Sequence, residues 1–161
     1  MTNQGPLRID MARDDLPADP AARHETLVDV FGRYVMWLRD SSMQATRDLG
    51  ESADSREKVR AVSREPWEEL AKLSPDERAV VYDVAQATMD RFMQQLLAML
   101  ANQGTDQQLG NHHSVRFKID LEICDVETAE VVESETINRG GRKYFGDYWG
   151  RWINRLGNGN T

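Results

Sequence analysis

Apolar residues recur at helical spacing over the first two thirds of the chain, then change to strict alternation near residue 115. Residues 1–18 hold Pro6, Pro17 and several charges with no sustained period, and are expected to form a mobile or loosely docked arm. Asp19-Pro20 then reads as an N-cap followed by proline at the first helical position, where its missing N–H does no harm. Leu27, Phe31, Tyr34, Leu38, Ala45 and Leu49 carry a first helix, its apolar face widened by Val30, Met36 and Trp37. Gly50 is the expected C-terminal stop, giving a helix of about thirty residues against a usual ~11–12.

Asp54 is placed to cap a second helix, with Glu57 returning to the cap N–H. Its only clear core candidates are Val59 and Val62, and Pro66 must break or kink it. Trp67, Leu70 and Leu73 supply a further turn or two. Ser74-Pro75-Asp76-Glu77 is the strongest local signal: an N-cap serine, an N1 proline and a glutamate at N3. The helix it opens is expected to reach Asn102, buried along Val81, Val84, Ala85, Thr88, Phe92, Leu96, Met99 and Leu100. Asp83, Gln86, Asp90 and Gln94 form the wet stripe opposite.

After a polar linker, Val115, Phe117, Ile119, Leu121 and Ile123 alternate with Arg116, Lys118, Asp120, Glu122 and Cys124, the signature of a strand with one buried face. Asp125 to Glu130 is a turn, and Val131 to Ile137 a second strand, so the pair reads as an antiparallel hairpin. Two strands alone are marginal, so they must pack on the helices or pair with another chain's sheet. Asn138 to Gly141 breaks the pattern, and Phe145, Tyr148, Trp149, Trp152 and Leu156 form a last amphipathic helix. The predicted fold class is α+β: an N-terminal helical bundle of two long helices plus a short broken one, then an antiparallel β-hairpin and a C-terminal amphipathic helix. In residue terms this is one domain over 19–157, with a helical part 19–103, a hairpin 114–137, a helix 143–156 and a disordered tail 158–161.

Composition narrows the function classes. The 161 residues carry a formal charge of -7 and a mean hydropathy of -0.64, so the apolar residues must be gathered into stripes. Long striped helices leave apolar surface over once a small core is filled, which favours self-association, a dimer first. The acidic balance argues against a general affinity for nucleic-acid backbone. The single cysteine, Cys124, excludes an internal disulfide and fits a reducing compartment. No apolar run reaches the ~20 residues of a membrane span, and the N-terminus lacks a secretory signal pattern; the expected location is the cytoplasm.

The segment from Asn138 onward is the most unusual. It holds five of the chain's twelve aromatic residues within Tyr144–Trp152. Arg139, Arg142, Lys143, Arg151 and Arg155 stand against Asp147 alone; five cations less one anion is +4, which leaves -11 for the rest of a chain of net charge -7. Basic residues among aromatics suit a single-stranded nucleic-acid platform or an anion site. The helical spacing of the aromatics argues more strongly for packing, with the basic residues paired to acidic helices and to Glu133 and Glu135.

His112 and His113 precede the first strand, and His24 lies on the first helix, but no CxxC, HxH or HExxH spacing accompanies them; His112 and His113 are weak metal candidates and no cofactor is expected. Cys124 shares a strand face with Asp120 and Glu122, and neighbouring carboxylates work against a reactive thiolate. Asp83 with Asp90, and Asp120 with Glu122, are paired carboxylates of a kind that is usually a solvated stripe. Nucleophile elbows and phosphate loops are missing. Methionines concentrate on the two long helices, and Met36, Trp37, Met89, Met93, Trp149 and Trp152 are candidate interface residues. The reading preferred from sequence is a non-catalytic interaction or assembly module, self-associating, with a further protein partner open. The alternatives are a small nucleic-acid or anion-binding protein, and an enzyme with its site where hairpin meets helices.

Overall fold

A computed structural model describes residues 16–101, 108–109, 113–139 and 145–156. The elements in order are α1 (Pro20–Glu51), α2 (Ala53–Glu57), a 3-10 turn Ala61–Ser63, α3 (Glu65–Lys72), α4 (Pro75–Leu100), β1 (Gln108–Leu109), β2 (His113–Ser114), β3 (Asp120–Cys124), β4 (Val131–Thr136), a 3-10 turn Phe145–Asp147 and α5 (Tyr148–Leu156). The fold is α+β, as the period change predicts. It divides into two compact units, one formed by Trp37–Arg91, the other by the described residues of 16–36 and 92–156; α1 and α4 contribute to both.

The unit of Trp37–Arg91 is helical throughout. Within it, Met43 and Tyr82 are the buried hydrophobic side chains. Its α1 segment does not stop at Gly50 but continues to Glu51. Gly50 is needed for contact, not for termination: a Cβ there would overlap the Tyr82 hydroxyl, which donates to Glu51 Oε1 at 2.9 Å. Asp54 does not cap α2; Ser52 does, one position earlier than Ala53, its hydroxyl accepting from the Ser55 N–H. Val62 is not core but 89% exposed, and Pro66 starts α3 in place of breaking a longer helix. Three arginines tie the connections by donating to open carbonyls: Arg56 to Leu49 and Gly50, Arg64 to Glu57 and Val59, Arg78 to Ala71 and Leu73. The capping box at α4 forms reciprocally. Glu77 N–H donates to the Ser74 hydroxyl, while Glu77 Oε2 accepts from the Ser74 N–H at 2.8 Å.

The second unit holds the main core: Leu16, Leu27, Val28, Val35, Met36, Leu97, Ile137, Phe145, Tyr148, Trp149 and Trp152. Leu16, assigned from sequence to the arm, is buried with them. Residues 1–15 and the tail 158–161 lie outside the described residues. The N-cap of α1 is Asp19, which accepts from the Ala22 N–H at 2.8 Å.

The hairpin pairs β3 with β4 antiparallel, Leu121 opposite Glu135 and Ile123 opposite Glu133, with a bulge between Ile123 and Cys124. The ladder is shorter than the alternation suggests: residues 115–119 lie outside it, although the Ile137 N–H still donates to the Ile119 carbonyl at 2.9 Å. Asn138 closes this open end. Its side chain accepts from the Ile119 N–H at 2.9 Å and donates to the carbonyls of Phe117 at 3.1 Å and Leu100 at 2.6 Å, fastening the hairpin to the end of α4. At the turn, Asp125 Oδ1 accepts from the N–H groups of Glu127 and Thr128, and Ala129 sits in the left-handed region at φ 58°.

Candidate interaction surface

The basic aromatic segment resolves into a packing element over its described part. Trp152 is fully buried and lies against Phe31 of α1, ring centroids 6.1 Å apart, and a Cβ on Gly32 would overlap its indole. Small residues at such points let a helix approach an aromatic face closely. Trp152 Nε1–H donates to Asp29 Oδ1 at 3.0 Å. Arg151 lies over the Tyr148 ring at 4.4 Å and bridges Glu25 (2.8 Å) and Asp29, while the Tyr148 hydroxyl donates to Glu25. Burial alone would raise the Glu25 carboxyl, but donation from Tyr148 and Arg151 outweighs it and holds the group below the ordinary carboxylate value. Tyr148 is pushed well above the usual phenol value, by burial first and by the Glu25 carboxylate second.

Of the candidate anion-binding residues, Arg151 is therefore already paired. Arg139 is exposed and donates to the Phe117 carbonyl at 2.9 Å, Arg155 is exposed in the last turn of α5, and Arg142 and Lys143 lie outside the described residues. Glu133 and Glu135, expected to take the C-terminal basic residues, pair instead with α1: Arg23 with Glu133, and His24 Nδ1 with Glu135 at 2.9 Å. These two acids share the hairpin's inner face with Leu121 and Ile123, so Arg23 and His24 give them polar partners where β4 meets the helix.

His112 lies outside the described residues, while His113, Glu122 and Cys124 are all exposed. Among the described residues no group of three His, Cys, Asp or Glu side chains is placed to hold a metal. Asp83 and Asp90 do not act as a pair, since Asp90 is engaged by Arg39. Asp120 pairs with Lys118 at 2.8 Å and accepts from the Thr136 hydroxyl at 2.5 Å; these contacts, Lys118 first, lower its carboxyl.

Among the candidate interface residues, Met36, Trp149 and Trp152 are core, and Trp37, Met89 and Met93 are half-buried. The exposed apolar surface lies elsewhere, because both long helices follow the expected phase only in part: Leu27, Phe31 and Met36 on α1 and Ala85, Leu96 and Leu100 on α4 are buried or half-buried as expected, and other positions are not. On α1, Tyr34 and Leu38 face outward, and Val28, Val35, Met36, Arg39 and Met43 face inward. On α4 the inward positions are Tyr82, Ala85, Gln86, Met89, Asp90, Met93, Leu97 and Leu100. The predicted wet residues Gln86 and Asp90 are thus half-buried, and the predicted core residues Val81, Val84, Thr88, Phe92 and Met99 are exposed. In the unit of Trp37–Arg91 this leaves Val80 63%, Val81 39% and Val84 60% exposed on one helix face.

No protein-family model, no curated protein and no solved structure matches the chain. No helix among the described residues is long and apolar enough to cross a membrane.

Proposed function

We propose that this chain is a non-catalytic interaction and assembly module that self-associates as a dimer through the outward face of α4. The observation that carries the reading is the imbalance within Trp37–Arg91. Among its hydrophobic residues that unit buries only Met43 and Tyr82, yet leaves Leu38, Val62, Leu73, Val80, Val81 and Val84 open. A small unit with so little interior gains stability by covering such a face, and Val80 and Val81 with Val84 one turn on form a continuous strip. We place the protein in the cytoplasm, where an exposed, unpaired Cys124 stays reduced. The nucleic-acid or anion reading is weaker, since Arg151 is already neutralised by Glu25 and Asp29. Light scattering behind size exclusion tests the proposal: a mass of twice 18.4 kDa is expected, and 18.4 kDa at every loading would refute it.

A further inference from the structure

We infer that two copies pair antiparallel along α4 about a two-fold axis at Val84, with Glu77 of each opposite Arg91 of the other. The inference rests on the reading that the chain self-associates through this face, and names how. Val84 is 60% exposed at the middle of the strip, with Val80 and Val81 one turn before it and the exposed Thr88 one turn after. Glu77 and Arg91 are also exposed, and each stands seven residues from Val84. Seven residues are close to two helical turns, or about 10 Å of rise, so both charges lie near the same stripe as Val84. Glu77, Val81, Val84, Thr88 and Arg91 follow one another at spacings of four and three, the stagger that lets one helix seat against another.

Charge selects the direction. Parallel copies in register would set Glu77 against Glu77 and Arg91 against Arg91. Antiparallel copies centred on Val84 set each Glu77 against the partner's Arg91, and align the helix dipoles favourably. Glu77 keeps its charge while it closes the cap: only Oε2 receives the Ser74 donors, and those hydrogen bonds hold its carboxyl below the ordinary value. Arg91 makes no ion pair among the described residues, in contrast to Arg39 and Arg78. Asp83, about 100° round the helix from Val84, stays at the rim. The contact is isologous, so it closes at two copies.

The test places a thiol on the axis. In a Cys124→Ser background, Val84→Cys brings the two introduced thiols together across the two-fold and should cross-link under mild oxidation to a covalent dimer. Val62→Cys, at a still more open position away from α4, should cross-link far less. Arg91→Glu should raise the dimer dissociation constant roughly tenfold. A wild-type dimer whose Val84→Cys form cross-links no better than the Val62→Cys form overturns this pairing and leaves self-association standing, as does a dissociation constant unmoved by Arg91→Glu. A wild-type chain that is monomeric by mass overturns both.

Discussion

Arg39 and Asp90 meet in a two-pronged ion pair, Nε to Oδ1 at 2.5 Å and Nη2 to Oδ2 at 2.9 Å, with the Arg39 side chain almost wholly buried. The pair joins α1 to α4 inside the unit Trp37–Arg91 and occupies interior positions of both helices. Asp40 takes the remaining Nη1 at 2.7 Å. Removing Asp90 takes both prongs from the buried guanidinium and leaves it only the more exposed Asp40. Asp90→Ala is expected to cost about 3 kcal/mol in urea unfolding. Arg39→Met combined with Asp90→Leu should recover most of it, because the double change removes both desolvation costs; a double variant as unstable as the single one would show that the pair was not the cause.

Gly32 has no room for a side chain beneath the Trp152 indole. Gly32→Ala should therefore destabilise by about 1–3 kcal/mol through overpacking, although alanine is by itself the better helix former by about 1 kcal/mol. Thermal unfolding decides the sign, and a raised melting temperature would contradict the packing described.

Ala129 holds a backbone conformation that L side chains adopt at a cost of about 1–2 kcal/mol. Ala129→Gly relieves that strain and adds flexibility to the unfolded chain, so a net gain of about 0.5–1 kcal/mol is expected from chemical denaturation. A loss on this substitution would mean that the turn does not require the left-handed residue.

Glu25 should contribute to the acid response of the second unit. Its carboxyl is held below the ordinary value of 4.5 in the folded state. A group depressed in this way contributes stability that is fully present above the unfolded value and is lost as pH falls through the folded one. Wild type and Glu25→Gln should therefore differ most at neutral pH and converge once the pH has fallen through the folded value of Glu25. Melting temperatures across that range check this, and a constant offset between the two proteins would rule out the linkage.

The sequence states the order of elements and several of their ends plainly. Asp19 and the Ser74–Glu77 box are caps in the structure as in the reading, because capping is local and set by a few adjacent residues. The hairpin also follows its alternation, though only Asn138, bonding to Ile119 and Leu100, shows why the ladder opens at that point. The phase of the long helices was not legible in the same way. Each is apolar on more than one side, so periodicity alone does not select the inward face, and the selection is made by groups far apart in sequence. Arg39 lies 51 residues from Asp90, and a pattern that treats every charge as solvent-facing puts both on the wet side. A charged residue within an otherwise apolar stripe of α1 was the available signal, since it requires a buried counter-ion on a facing element. Missing it hides the exposed valines of α4, on which the proposed dimer depends.

Sedimentation equilibrium of wild type beside Val84→Glu, from roughly 1 to 100 μM, is the most direct measurement of the central claim. Val84 is open in the single chain, so the substitution spares the fold, and far-UV circular dichroism should be unchanged. The wild-type mass should climb to twice 18.4 kDa while Val84→Glu stays at 18.4 kDa. Equal masses for the two proteins across the whole range would contradict assembly through α4.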